Sequence, residues 1–112
     1  MKMKFAIPTL NNQLTAHFGH CEKFAIVDVE NNNVIKEEFI TPPFHQPGVY
    51  PKFLAEQGVH VIIAGGMGQT AQDLFAQNNI KVYMGVQAGT PKQLVEQYLS
   101  NQLQTGKNLC DH

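Results

Sequence analysis

From Val59 to Met84 the sequence runs VHVIIA, GGMG, QTAQDLFAQ, NN, IKVYM: a branched apolar stretch, a glycine turn, a segment with helical spacing, and a second apolar stretch. Two strands separated by one helix lie parallel and are joined by a right-handed crossover. That unit commits the chain to an α/β fold, with Val59–Ala64 as a buried central strand, Gln69–Gln77 as a helix carrying Ala71, Leu74 and Phe75 inward, and Ile80–Met84 as the next strand.

The flanking sequence extends the pattern. Lys4–Thr9 (KFAIPT) reads as a first strand, with Pro8 marking where its pairing stops or frays. Asn11–Glu22 reads as a loop. Phe24–Val29 and Val34–Ile40 pair as a hairpin across the turn Asn31–Asn33. Thr41–Gly48 holds three prolines and cannot be regular structure. Tyr50–Gln57 follows as a helix, with Phe53 and Leu54 inward and Gly58 as its stop. Thr90 and Pro91 suit an N-cap and first helical position, opening a helix to about Leu103 whose stripe is Leu94, Val95, Tyr98 and Leu99. Residues 104–112 form a tail. The expectation is one domain over residues 1–112, with a five-stranded mixed sheet in the order 3-2-1-4-5 and flanking helices.

In that order the first, third, fourth and fifth strands point the same way. The segments Asn11–Glu22, Thr41–Gly48, Gly65–Gly68 and Gly85–Gly89 then leave one edge of the sheet. Open α/β sheets bind ligands in the crevice beyond that edge, where the strand order reverses. His17, His20, Cys21, His45 and the glycine turn should face one hollow. The last helix carries Cys110 and His112 to the opposite edge unless the tail turns back, and nine residues reach about 30 Å at ~3.3 Å each.

The charge and cysteine content narrow the partners. Net charge is −1 and neither Lys nor Arg forms a run, so the footprint of a nucleic-acid binder is missing. The longest apolar run, Val61–Ala64, is far below the ~20 residues of a membrane span, and Met1–Leu10 has no signal-peptide pattern, so the expected location is the cytoplasm. Two cysteines make no secreted disulfide framework; in a reducing compartment they point to metal binding, redox chemistry or burial.

The stretch AHFGHCEKF concentrates His17, His20 and Cys21. Imidazole and thiolate are donors for zinc, copper and iron–sulfur units, and Lys23 or a neighbouring imidazolium favours the thiolate. The same residues also suit a buried thiol with histidines bonded to backbone carbonyls. CDH at the terminus adds Cys110 and His112, as ligands or as a frayed end. His45 lies in a proline-stiffened loop, as a held ligand or an exposed turn residue. His60 alternates with Val59 and Val61 and reads as structural. Gly65, Gly66 and Gly68 offer backbone N–H groups and a helix N-terminus to an anion, or simply a tight turn, with Met67 lining a surface or filling a gap. The turn has no P-loop lysine and does not match G-x-G-x-x-G. KFAIPT and VHVIIA bring no carboxylate for a two-metal nuclease.

Taken together, KFAIPTLNNQLTAHFGHCEKFAIVDVE, PPFHQPGVYPKFLAEQGVHVIIAGGMGQTAQDLFAQNNIKVYMGV and GKNLCDH resemble the dinitrogenase iron-molybdenum cofactor biosynthesis family over nearly the whole chain. The resemblance implies a ribonuclease H-like fold without nuclease activity. It also implies a role in binding, carrying or inserting iron–sulfur or molybdenum-containing clusters. His17, Phe18 and Gly19 match the family's loop, His45 its proline-rich loop, and Gly65, Gly66, Met67 and Gly68 its glycine turn. Cys21, Cys110 and His112 match only part of the family.

The resulting expectation is a non-enzymatic cytoplasmic carrier, monomer or weak homodimer, that exchanges a metal cluster with donor and acceptor proteins. The rival readings are a nucleotide- or anion-responsive interaction module built on AGGMG, and a thiol redox protein using Cys21 and Cys110.

Overall fold

The computed structural model describes residues 2–15, 22–42, 49–86, 89–103 and 105–106. Its elements are β1 (Lys2–Leu10), β2 (Gln13–Leu14), β3 (Lys23–Glu30), β4 (Asn33–Ile40), α1 (Val49–Glu56), β5 (Val61–Ile63), α2 (Gln69–Gln77), β6 (Lys81–Tyr83) and α3 (Pro91–Leu99).

The sheet has six strands where the sequence suggests five. With Gln13–Leu14 counted as β2, the main path reads β4-β3-β1-β5-β6, and β2 pairs with β1 off that path. β1 is antiparallel to β3, β3 to β4, and β1, β5 and β6 run parallel. The added strand comes from a tight hairpin: Leu10 pairs with Gln13 across Asn11 and Asn12, whose φ angles are 56° and 65°. The β3–β4 hairpin repeats the device, with Glu30 opposite Asn33 across Asn31 (φ 54°) and Asn32 (φ 64°). Two consecutive left-handed residues give the turn whose twist matches a hairpin, and Asn tolerates that region better than other residues with a Cβ.

β1 also continues past Pro8, which pairs with Phe24, to Leu10. The Pro8 carbonyl accepts from Thr15 N–H at 3.0 Å, so its main chain faces the β2 side. The missing N–H therefore costs the β1–β3 ladder nothing.

Alternation along the strands splits the core in two. Ala6, Phe24, Ile26 and Ile62 face α1 and α2, joining Tyr50, Leu54 and Phe75. Phe5, Ile7, Val27 and Ile63 face the other side, joining Leu94 and Val95 of α3. The Tyr98 ring meets Phe5 edge-on at 5.0 Å and Tyr83 at 5.3 Å, contacts of about 0.5–1.5 kcal/mol each beyond area burial.

The helices end where the backbone can turn left-handed. Gly58 (φ 81°) closes α1, with Val59 N–H donating to the Leu54 carbonyl. Asn79 and Asn101 do the same for α2 and α3. Asn101 explains why α3 stops at Leu99 rather than continuing to Leu103: Gln102 N–H turns back to the Gln97 carbonyl at 2.7 Å. At its start, Thr90 and Gln93 form a reciprocal capping box ahead of Pro91.

Candidate functional site at the carboxyl edge

β1, β4, β5 and β6 end on one edge. The bases of the connecting segments are fixed there by main-chain bonds. Thr15 N–H donates to the Pro8 carbonyl at 3.0 Å and Glu22 N–H to the Thr9 carbonyl at 2.7 Å, so the residues that flank 16–21 are both held at the end of β1. Thr9 itself is buried and donates from Oγ1 to the Lys23 carbonyl at 2.8 Å. Leu14 N–H donates to the Gly89 carbonyl at 3.0 Å, joining this loop to the segment before α3.

Gly65 and Gly66 are buried beyond β5, and Gly68 is the exposed N-cap of α2. Gly85 N–H donates to the Gly65 carbonyl at 2.9 Å, while Ala64 N–H donates to the Tyr83 carbonyl at 2.8 Å. The Met67 side chain is buried in the core beneath α1 and α2, which makes it a filler of the turn's interior. Gln72 Nε2 donates to the Met67 carbonyl at 3.2 Å and ties the turn to α2.

The donor residues need separate placement. His17, Phe18, Gly19, His20, Cys21, His45, Cys110 and His112 lie outside the described residues. Segments 16–21 and 43–48, which contain the first six of these, are bounded by residues at the carboxyl edge. His60 is described: it is exposed at the opposite edge, where its Nδ1 accepts from Lys4 N–H at 3.0 Å. That is the structural role its strand position suggests. Among the described residues, no three His, Cys, Asp or Glu side chains cluster to hold a metal ion.

Two features escape the sequence reading. First, α1, α2 and α3 all start at the carboxyl edge, and none has an acidic residue in its first turn. This was legible once helix starts were assigned. Second, the chain returns to this edge after α3: Leu103 packs against the α3-side core and Gly106 N–H donates to the Met84 carbonyl at 3.1 Å.

A hollow of about 420 Å³ lies elsewhere, on the α3 face, lined by Met3, Asn32, Tyr83, Tyr98, Leu99 and Leu103 among others. The hydrogen bond that the Tyr98 hydroxyl donates to Tyr83, followed by partial burial, raises the Tyr98 pKa above its ordinary 10.0. Its phenols and amides are poor donors for soft metals.

A family model described as dinitrogenase iron-molybdenum cofactor matches residues 1–101.

The chain belongs to the dinitrogenase iron-molybdenum cofactor family.

A relative, the uncharacterized protein MJ0580 of Methanocaldococcus jannaschii, is 40% identical over 86 residues, 72% of this chain and 73% of that protein. Among solved structures, PH0822 superposes with a TM-score of 0.87 at 27% identity, covering 96% of this chain and 99% of that one. The apo form of the orange protein from Desulfovibrio gigas superposes with a TM-score of 0.75 at 22% identity, covering 95% and 94%, a likeness of fold. Membership in this family ties the chain to cofactor-related work. Among the described residues, no helix is long and apolar enough to cross a membrane.

Proposed function

We propose that the carboxyl edge binds an anionic iron–sulfur or iron–molybdenum type cluster as cargo and hands it on, without catalytic turnover. The observation that carries this reading is the meeting of three helix N-termini at one sheet edge with no first-turn carboxylate to neutralise them. Each terminus presents roughly half a positive charge, and the start of α2 has no side-chain cap. Exposed Lys23, Lys52 and Lys92 stand at the same edge, against one described carboxylate of the adjoining loop, Glu22, while Glu30 and Glu56 lie at the other. An anion is favoured there before any ligand bond forms.

On this reading His17, His20, Cys21, His45, Cys110 and His112 supply the soft donors, and Phe18 and Gly19 shape the loop. The turn Gly65, Gly66, Met67, Gly68 offers backbone N–H groups to bridging sulfides. A site that leaves coordination positions open releases cargo by ligand exchange, whereas a closed four-ligand site retains it. The partners are cluster donor and acceptor proteins, met in the cytoplasm by a monomer or weak homodimer. We read the sheet as ribonuclease H-like without nuclease activity, because β1 and β5 carry no carboxylate.

Anaerobic purification from the native host, with elemental analysis and absorption spectroscopy, tests the reading. Wild-type protein is expected to carry iron or molybdenum with sulfide, and Cys21→Ser to lose most of it. Absence of both metals from wild type overturns the proposal. The same edge also suits phosphate, so saturable nucleotide binding in equilibrium dialysis, unaffected by Cys21→Ser and His17→Ala, would favour the interaction-module alternative.

A further inference from the structure

We propose that the hollow on the α3 face binds a neutral, flat, fused-ring heterocycle. The site is separate from the carboxyl edge, and nothing in it depends on the cluster reading of that edge.

The topology leaves this space open. α1 and α2 together cover one face of the sheet, whereas among the described elements α3 is the helix that packs on the other. α3 ends at Leu99, the chain reverses at Asn101 (φ 60°), and irregular chain follows: Leu103 packs on the core and Gly106 N–H donates to the Met84 carbonyl at 3.1 Å. The hollow of about 420 Å³ lies where the helix end and this returning segment meet Met3, Asn32 and Tyr83. A second hollow of about 380 Å³ shares Met3 and Asn32 and adds Val29 and Asn31, so the space continues toward the β3–β4 turn. The first volume alone falls within the about 300–1,000 Å³ of small-molecule sites. Two adjoining hollows make a slot, which suits a flat guest.

The lining sets the class of guest. None of the described residues that line either hollow is Lys, Arg, His, Asp or Glu. A charged guest would lose water and gain no counter-charge, so the guest is neutral. The Tyr98 ring is held edge-on between Phe5 at 5.0 Å and Tyr83 at 5.3 Å, so the aromatic wall is built before any guest arrives. Tyr98 donates its hydroxyl proton to Tyr83, and Tyr83 keeps its own proton for another acceptor. Exposed Asn32 and Asn101 each carry an amide that donates and accepts. A ring system with carbonyl and ring-nitrogen groups on its edge answers the hydroxyl and the amides, while its faces lie against phenol rings, the Met3 thioether and leucines. A saturated chain of equal size would leave those polar groups unmatched.

The probes are riboflavin and lumichrome, its bare ring system, both neutral. Equilibrium dialysis of metal-free protein is expected to show saturable binding of each. Amide shifts in heteronuclear NMR should centre on Met3, Asn32, Leu99 and Asn101. Met3→Trp fills the slot and should weaken binding at least about tenfold with the thermal midpoint kept. Tyr83→Phe should weaken it about threefold to tenfold through one lost hydrogen bond. No saturable binding, shifts centred elsewhere, or wild-type binding by both variants overturns the proposal. Binding of riboflavin without lumichrome also overturns it, because the sugar-alcohol chain and not the ring would then be the group recognised.

Discussion

Thr9 Oγ1 donates a 2.8 Å hydrogen bond to the carbonyl of Lys23, joining β1 to β3 where segment 16–21 departs. Thr9→Val keeps the shape and leaves that buried-side carbonyl without its partner. A loss of about 1–2 kcal/mol in urea unfolding is expected. Unchanged stability would mean that the loop base is held by the Glu22 and Thr15 amides alone.

Gly68 separates binding from folding. Its φ of −69° suits any residue and a Cβ there meets nothing within 4 Å, so Gly68→Ala should cost no more than about 1 kcal/mol, through a weaker N-cap. The methyl adds bulk at the N-cap of α2. Cluster loading is expected to fall several-fold while the unfolding curve barely moves; equal loading would show that cargo does not approach this turn.

The tyrosine pair carries a pH signature. The Tyr98 pKa is raised in the folded protein, first by its hydrogen bond with Tyr83. A raised pKa gives stability that is complete below the unfolded value near 10 and is lost as pH rises through the folded value. Tyr83→Phe should bring Tyr98 ionisation, followed by ultraviolet titration, back toward 10.0 and flatten this part of the alkaline loss. A Tyr98 titration identical in wild type and variant would refute the hydroxyl pairing.

His60 provides a control. Its exposed ring accepts the Lys4 amide at the amino edge, so His60→Ala should cost under about 1 kcal/mol and leave cluster loading unchanged. Reduced loading would argue for a second metal-binding region.

Much of the frame was legible because strand and helix periods differ. VHVIIAGGMGQTAQDLFAQ declared a strand, a turn and a helix, and α2 spans Gln69–Gln77 as its apolar spacing indicates. β2 was missed although its cause is visible: Asn11–Asn12 has the same composition as the Asn31–Asn32 turn, but the former is followed by a strand of only two residues and the latter by one of eight. α3 was overextended because Leu103 fits its stripe, while Asn101 reverses the backbone first. Pro8 was misleading because its missing N–H faces the β2 side of β1, away from the β3 ladder. The histidines and cysteines are different in kind: all but His60 lie outside the described residues, and periodicity carries no information about side chains in irregular loops.

The ties between Gly65, Gly85, Met84 and Gly106 run through main-chain atoms. Side chains on the surrounding rim can therefore be exchanged without altering its frame, much as fittings change on a fixed chassis. A lineage built this way can vary its loop residues and leave its architecture untouched.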